Sequence, residues 1–312
     1  MNKINDLGRE LHKPIKKKFQ KRKVVVFRVD EIWSCDLVDM QEWNKENDNY
    51  KYLLNIVDVF SKYAWSIPII NKTGQTVTNA FSDIFINDKR KPEKIWVDQG
   101  MEFYNKIFIK LLKDNNISIY SSFGDSKSCV VERFNRTLKN WMWLYFDSNN
   151  TRRYVEYLPE IMTYYNNKKH RTIKMSPNDA IMKNNYSAVY KILNKKNEPS
   201  FIQSFNKGDY VRISRIKGDF EKGYIANWSR EIYIIEQVIL TNPVTYKIKD
   251  LNNEIIEGNF YNEELQKTSK PSEFLIEKIL KSKKVNGKIM YYVKWLGYSK
   301  KHNSWINKKD VK

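Results

Sequence analysis

The chain has 312 residues, room for two or three domains with separate cores. Its 41% hydrophobic content, with 14% aromatic residues, excludes a disordered chain; its net charge of +20 and pI near 9.6 point to a polyanionic partner, the alternative being a solvated basic surface in a lysine-rich composition. Two cysteines (Cys35, Cys129) exclude a disulfide framework, three scattered histidines (His12, His170, His302) exclude a zinc site assembled locally from Cys and His, and no apolar run reaches transmembrane length, so no membrane partner is expected.

Residues 1–28 read as a basic flexible arm, with Lys16, Lys17, Lys18, Lys21, Arg22 and Lys23 clustered for nuclear import or phosphate contact, or else as a solvated tail. Strands are predicted at 31–40, 52–60 and 63–70. An amphipathic helix follows, with Val77, Ala80, Phe81, Ile84 and Phe85 at helical spacing and Thr73 as cap. A short strand ends at Asp98, a helix covers about 103–115, and a strand at 117–121 leads into a polar loop at 122–128 containing Gly124. A long helix runs over about 129–146, with Val130, Phe134, Leu138, Trp141 and Tyr145 inward and Glu132, Asn135, Arg136 and Lys139 on the opposite arc. Further helices are expected at 151–168 and 176–184, the last started by Ser176-Pro177. This order describes an α/β domain over 29–190, a mixed five-stranded sheet flanked by helices. Beyond Pro199 the pattern turns to short alternating strands with turns at Gly208, Gly218, Gly223 and Asn252-Asn253, a small β-barrel over 205–268. A Ser-Lys-Pro-Ser linker at 269–272 precedes a β module, 273–312, with a hairpin at Asn286-Gly287.

Three carboxylates stand out by placement: Asp36 in mid-strand, Asp98 at the end of a later strand, and Glu132 on the polar face of the long helix. With the first and fourth strands adjacent and the helix across them, the three converge. Such a trio suits two Mg²⁺ ions, hard cations that prefer oxygen, which activate a hydroxyl nucleophile and stabilise the leaving oxygen of a phosphodiester. Strand alternation sends the rival Asp39 to the opposite face, and Asp58 reads as structural.

The stretches WSCD at 33–36, VDQGMEF at 97–103 and VVERFNRTLK at 130–139 resemble the three motifs of retroviral-type DDE integrases, most closely those of Maverick/Polinton transposons and virophages. The resemblance spans roughly residues 30 to 312. It implies an RNase H-like catalytic core, 3′-end processing and strand transfer with Mg²⁺ or Mn²⁺, and Asp36, Asp98 and Glu132 as metal ligands. It also implies a homo-multimer acting on double-stranded DNA in a host nucleus, and packaging in a virion is compatible with it. Between Asp98 and Glu132 lie 33 residues, two fewer than in the retroviral branch. The amino-terminal His/Cys zinc domain of many relatives has no counterpart, so either it was lost or the chain is a fragment. Asn135, Arg136 and Lys139 share the arc of Glu132, placed for phosphates or bases of a DNA end, or forming a solvated face. Gln99 and Gly100 are expected at the rim of the site, where glycine permits close backbone approach.

Residues 205–268, with FEKGYIANWSREIYII and EGNFYNEELQK, resemble the SH3-like DNA-binding domain of the same integrases. Lys207, Arg212, Arg215, Lys217 and Lys222 suit DNA contact, and Trp228 reads as core. The last segment resembles a chromodomain. By motif position Phe274, Trp295 and Tyr298 would cage a methylated lysine of a histone tail through cation–π attraction, with Trp305 as core. His302 stands where an assisting acid is usual, with Lys300 and Lys301 beside it and both repelling a cation, so a DNA or protein contact is the alternative. The expected function is DNA integration; a catalytically silent chromatin- or DNA-binding derivative and a hydrolytic nuclease are the alternatives.

Overall fold

The computed structural model describes residues 6–121, 129–194, 202–215, 221–222, 224–270 and 274–311. The loop at 122–128 with Gly124, Pro199, the turns at Gly218 and Gly223, Lys217, and the linker residues 271–272 lie outside the described residues. The chain divides into two compact units, residues 24–197 and residues 1–23 with 198–312. A short helix, α1 (Asp6–Leu11), belongs to the second of these.

In the first unit, β1 (Ile32–Asp39), β2 (Tyr52–Asp58) and β3 (Ala64–Ile69) form an antiparallel meander. Helix α2 (Gly74–Asn87) is capped by Thr73, whose hydroxyl accepts from the Thr76 N–H, as expected. β4 (Lys94–Val97) pairs parallel with β1. Helix α3 (Lys106–Asp114) starts later than the apolar spacing suggests, because the Asn105 side chain accepts from the N–H groups of Ile107 and Phe108. β5 (Ser118–Ser121) completes a mixed sheet of order β3-β2-β1-β4-β5. Then follow α4 (Cys129–Asn149), α5 (Leu158–Asn167) and the one-turn α6 (Pro177–Ala180), capped by Ser176. A further helix absent from the sequence reading, α7 (Tyr186–Leu193), closes the unit. α5 starts at Leu158 and not near 151; Tyr154 is buried there and its backbone N–H donates to the Asn47 side-chain oxygen (2.6 Å).

Strand alternation sorts the core. Trp33, Cys35 and Leu37 face α2 and α3, whereas Val38, Leu53 and Val57 face α4 and α5. The buried stripe of α4 is Val131, Phe134, Asn135, Leu138, Met142 and Phe146. That stripe is rotated from the expected one toward the acid face, so Asn135 is buried while Glu132, Arg136 and Lys139 are exposed. Val26 is buried in a third cluster with Val189 and Ile173, and Asn194 donates to its carbonyl (3.2 Å).

The second unit holds β6 (Tyr210–Ile213), β7 (Tyr233–Ile239), β8 (Thr245–Lys249), β9 (Ile255–Tyr261) and β10 (Leu265–Thr268), an antiparallel sheet of order β10-β6-β7-β8-β9. Its core is Phe205, Val211, Ile235, Val244, Tyr246, Ile248 and Leu265, and Trp228 is buried as expected. A three-stranded sheet follows: β11 (Ile276–Val285), β12 (Lys288–Trp295) and β13 (Ser304–Asn307). Asn286 and Gly287 turn the hairpin with φ of 48° and 76°, the left-handed geometry that favours this dipeptide. Among the described residues no helix is long and apolar enough to cross a membrane.

Three expectations are corrected in this unit. The arm is not free throughout: Leu11 is buried, its carbonyl accepts from the backbone N–H groups of Asn227 and Trp228, and the Lys13 carbonyl accepts from the Trp228 indole (3.0 Å). Arg212 cannot reach DNA, because it is only 4% exposed; it is ion-paired with Glu10 (3.1 Å) and donates to the Ser229 and Arg230 carbonyls. Trp305 is not core but partly exposed, tilted against Tyr292 (ring centres 5.3 Å) with the Lys283 ammonium 4.1 Å from its ring centre.

Candidate active site

Asp36 sits in the middle of β1 on the face that packs against α4, since it shares that face with Val38. The β1–β4 pairing runs Ile32–Lys94, Trp33–Ile95 and Ser34–Trp96. Two residues further along each parallel strand, Asp36 stands level with Asp98, just beyond the end of β4. Adjacent strands lie about 4.8 Å apart, so the two carboxylates are neighbours. Glu132 projects from the first turn of α4, which crosses β1 and β2.

The electrostatics carry the mark of this convergence. The Asp36 carboxyl is pushed up to about 6, first by burial and then by the negative charges of Asp98 and Glu132; the Leu37 N–H and the Asn135 amide pull the other way. The folded chain without metal therefore holds this proton more tightly than the unfolded chain does. The resulting destabilisation is absent below about pH 4, grows to about pH 6 and persists above it. Asp36→Asn removes it. Relative to wild type in chelator, the variant should gain roughly 2–3 kcal/mol between about pH 4 and pH 7. Urea unfolding at both pH values measures this, and an offset that does not change with pH would refute the placement of Asp36.

Asp36 is held by a chain of side-chain hydrogen bonds across three strands. The Ser66 hydroxyl donates to Asn55 Oδ1 (2.6 Å), Asn55 Nδ2 donates to Asn135 Oδ1 (2.7 Å), and Asn135 Nδ2 donates to Asp36 Oδ2 (2.7 Å). The sheet register makes this possible, placing Asn55 opposite both Asp36 and Ser66. Asn135 was expected to contact DNA; it is 9% exposed and spends its amide on Asp36 instead. Asn55 and Ser66 escaped the sequence reading, since an isolated Asn or Ser within a strand carries no local signal.

The remaining candidates separate cleanly. Arg136 and Lys139 are exposed on the Glu132 arc, and Gln99 and Arg215 are also exposed. At Gly100 an added Cβ would meet only the movable carboxylate end of the Glu102 side chain (2.4 Å). Asp39 is a surface residue, held below its ordinary range first by the Gln41 backbone N–H. Asp58 is fully buried and structural, accepting from the Ser61 hydroxyl and N–H, with Arg90 at 3.9 Å. Missed altogether was a basic cluster beside the first turn of α4. Burial lowers Lys62 to about 8, with Asp58 opposing and the adjacent Arg133 reinforcing. Burial, then Lys62, Arg133 and Arg171, lowers His170 to about 4. Lys62 and His170 lie on loops far from Glu132 in sequence, which is why spacing could not find them.

In the last module Phe274, Trp295 and Tyr298 do come together, with ring centres 5.7 Å (Phe274–Trp295) and 5.6 Å (Phe274–Tyr298) apart. Phe274 is 41% exposed, so the group opens to solvent.

Residues 28–123 match the Integrase core domain family and residues 274–312 the Chromo (chromatin organisation modifier) domain family. The chain is 33% identical over 195 residues to an uncharacterised transposon-derived protein of Caenorhabditis elegans, covering 62% of this chain and 66% of that protein. It is 34% identical over 104 residues to the Gag-Pol polyprotein of avian reticuloendotheliosis virus, and 34% identical over 109 residues to the Pol polyprotein from transposon 412 of Drosophila melanogaster. These cover 33% and 34% of this chain, and the chain spans only 9% of each polyprotein. Among solved structures, a chain of the simian T-cell lymphotropic virus intasome in complex with PP2A regulatory subunit B56 gamma superimposes with a TM-score of 0.61 and 13% identity, over 86% of this chain and 88% of that one. That likeness is one of fold.

Proposed function

We propose that the protein is a DNA integrase, a polynucleotidyl transferase that processes the 3′ ends of a mobile element and joins them to target DNA. The observation that carries this reading is the placement of Asp36 beside Asp98 on adjacent parallel strands, with the charges of both Asp98 and Glu132 felt at Asp36, in a segment that matches the integrase core family. We read that core as RNase H-like and the middle sheet as an SH3-like DNA-binding module. From the three motif stretches we read the element as one of the Maverick/Polinton and virophage kind.

The acid trio fits divalent metal. Its oxygen donors suit a hard cation, and the Asp36 carboxyl, raised first by burial, also feels the negative charges of Asp98 and Glu132. Asp36, Asp98 and Glu132 would hold Mg²⁺ or Mn²⁺, two ions in our reading. Such ions activate the attacking hydroxyl and stabilise the leaving oxygen. The chain's own side chains do the rest. Asn135, fixed by Asn55, aims one Asp36 oxygen and limits its rotation. Arg136 and Lys139, one and two turns along α4, bind phosphates of the DNA end, and Lys62 and Arg133 add positive potential beside it.

Incubating labelled duplex ends with the purified chain and Mg²⁺ should yield joined products that disappear on chelation. Binding without any product would leave a catalytically silent DNA- or chromatin-binding derivative. Nicked products with no joining would indicate a hydrolytic nuclease. A homo-multimer pairing two ends, acting on chromatin in a host nucleus, completes the proposal.

The C-terminal module gives this enzyme a way to choose chromatin. Phe274, Trp295 and Tyr298 form a three-sided aromatic group suited to a quaternary ammonium. With cation–π contacts of about 0.5–2 kcal/mol each, the chain should prefer a trimethylated histone peptide over its unmodified twin by tenfold or more. Tyr298→Ala should remove that preference in calorimetry. Equal affinity of the wild type for both peptides would reassign the module to DNA or another protein.

A further inference from the structure

We infer that Glu231, Asp250 and His302 form a zinc site that pins the C-terminal module to the sheet before it. The three residues come from separate segments: Glu231 just ahead of β7, Asp250 just after β8, and His302 at the end of a 3-10 turn (Lys300–His302) between β12 and β13. Their ligand atoms all lie within 4.8 Å of one another. His302 Nε2 is 3.1 Å from Glu231 Oε1 and 3.3 Å from Asp250 Oδ2. Zinc holds nitrogen and oxygen ligands at about 2.0–2.2 Å, so the corners of its tetrahedron stand roughly 3.3–3.6 Å apart, close to the spacing already present. Little movement is needed to admit an ion.

The surroundings suit a structural metal. The side chains of His302, Asp250 and Glu231 are only 8%, 4% and 16% exposed. Burial pushes the Glu231 carboxyl upward, while the facing His302 and the Tyr233 side chain pull it back and Asp250 adds to the rise. The far ring nitrogen, Nδ1, lies 3.1 Å from the Asn252 amide. As placed, the Asn252 Nδ2 faces Nδ1; metal on Nε2 would require that amide turned over, so that its oxygen accepts from Nδ1–H and supports the ligating histidine. The neighbouring packing is close. A Cβ on Gly297 would meet the Arg230 Cβ at 2.5 Å, the Ile232 N–H donates to the Tyr298 hydroxyl, and Lys301 pairs with Glu254 (2.6 Å). His302 packs edge-on against Tyr298 (ring centres 5.4 Å) while its Nε2 turns toward Glu231 and Asp250 of the preceding module.

The test uses the full chain, stripped with chelator, re-equilibrated with equimolar zinc and passed through gel filtration before metal analysis. The Asp98→Asn variant accounts for metal held by the acid trio. Wild type and Asp98→Asn should retain one zinc ion that His302→Gln and Asp250→Asn lose. Cobalt in place of zinc should give the visible absorption of a tetrahedral nitrogen–oxygen site in wild type and not in His302→Gln. Should His302→Gln fail to fold by circular dichroism, Glu231→Gln and the wild-type cobalt spectrum decide. Equal zinc in wild type and a folded His302→Gln, or no tetrahedral cobalt band in wild type, overturns the site and leaves His302 as a hydrogen-bonding bridge between two carboxylates.

Discussion

Asp98→Asn and Glu132→Gln should each reduce strand transfer to the level seen with chelator, while folding and bulk DNA binding survive. Each change replaces an anionic oxygen donor by a neutral amide of nearly the same shape, so a metal site loses charge without a cavity opening. Neither side chain holds the core together: Glu132 is exposed, and Asp98 lies just past the end of its strand. Loss of activity with an unchanged unfolding midpoint is therefore the expected signature. Asp36→Asn should be equally inactive, but it also replaces an acceptor that serves the Asn135 amide, so it is the less clean control. Near-normal joining by Asp98→Asn or Glu132→Gln would remove that residue from the site.

The second large effect lies far from the chemistry. Deleting residues 1–13 should strongly destabilise the unit that contains β6 to β10. The deletion removes the buried Leu11, strips Arg212 of Glu10, and leaves the Trp228 indole and two backbone N–H groups without their acceptors. Burying a leucine contributes about 1.5–3 kcal/mol, and leaving buried charged or polar groups unpaired costs on the order of 1–3 kcal/mol each. Even with incomplete additivity the loss is about 4 kcal/mol or more, which lowers the melting temperature by roughly 15 °C or more for a domain of this size. Neutralising Lys16, Lys17, Lys18, Lys21, Arg22 and Lys23 instead should leave stability almost unchanged, since all six are exposed, and should make DNA affinity less sensitive to salt. A deletion that melted like wild type would mean that α1 does not support the sheet.

The sequence by itself determined the element types wherever a period is clean. Alternation in β1 assigned Asp36 and Asp39 to different roles, Thr73 capped α2, Asn286-Gly287 turned the last hairpin, and the three motif stretches singled out Asp36, Asp98 and Glu132. These signals are local: a strand or helix declares its apolar side within a few residues. Only the tertiary structure decided which polar groups meet. Asn55 and Asn135 are 80 positions apart, Arg212 and Glu10 are 202 apart, and no spacing rule joins them. The stripe of α4 turned toward its acid face because the sheet beneath it offers Asn55 as a partner, so Asn135 could be buried at little cost and became a support for Asp36. Arg212, which reads as a DNA contact in one dimension, is buried for the same reason: a distant carboxylate pairs with its guanidinium and two carbonyls accept from one of its terminal nitrogens. A buried polar side chain is stable only where its partners are, and those are fixed by how the elements pack and not by the residues on either side of it.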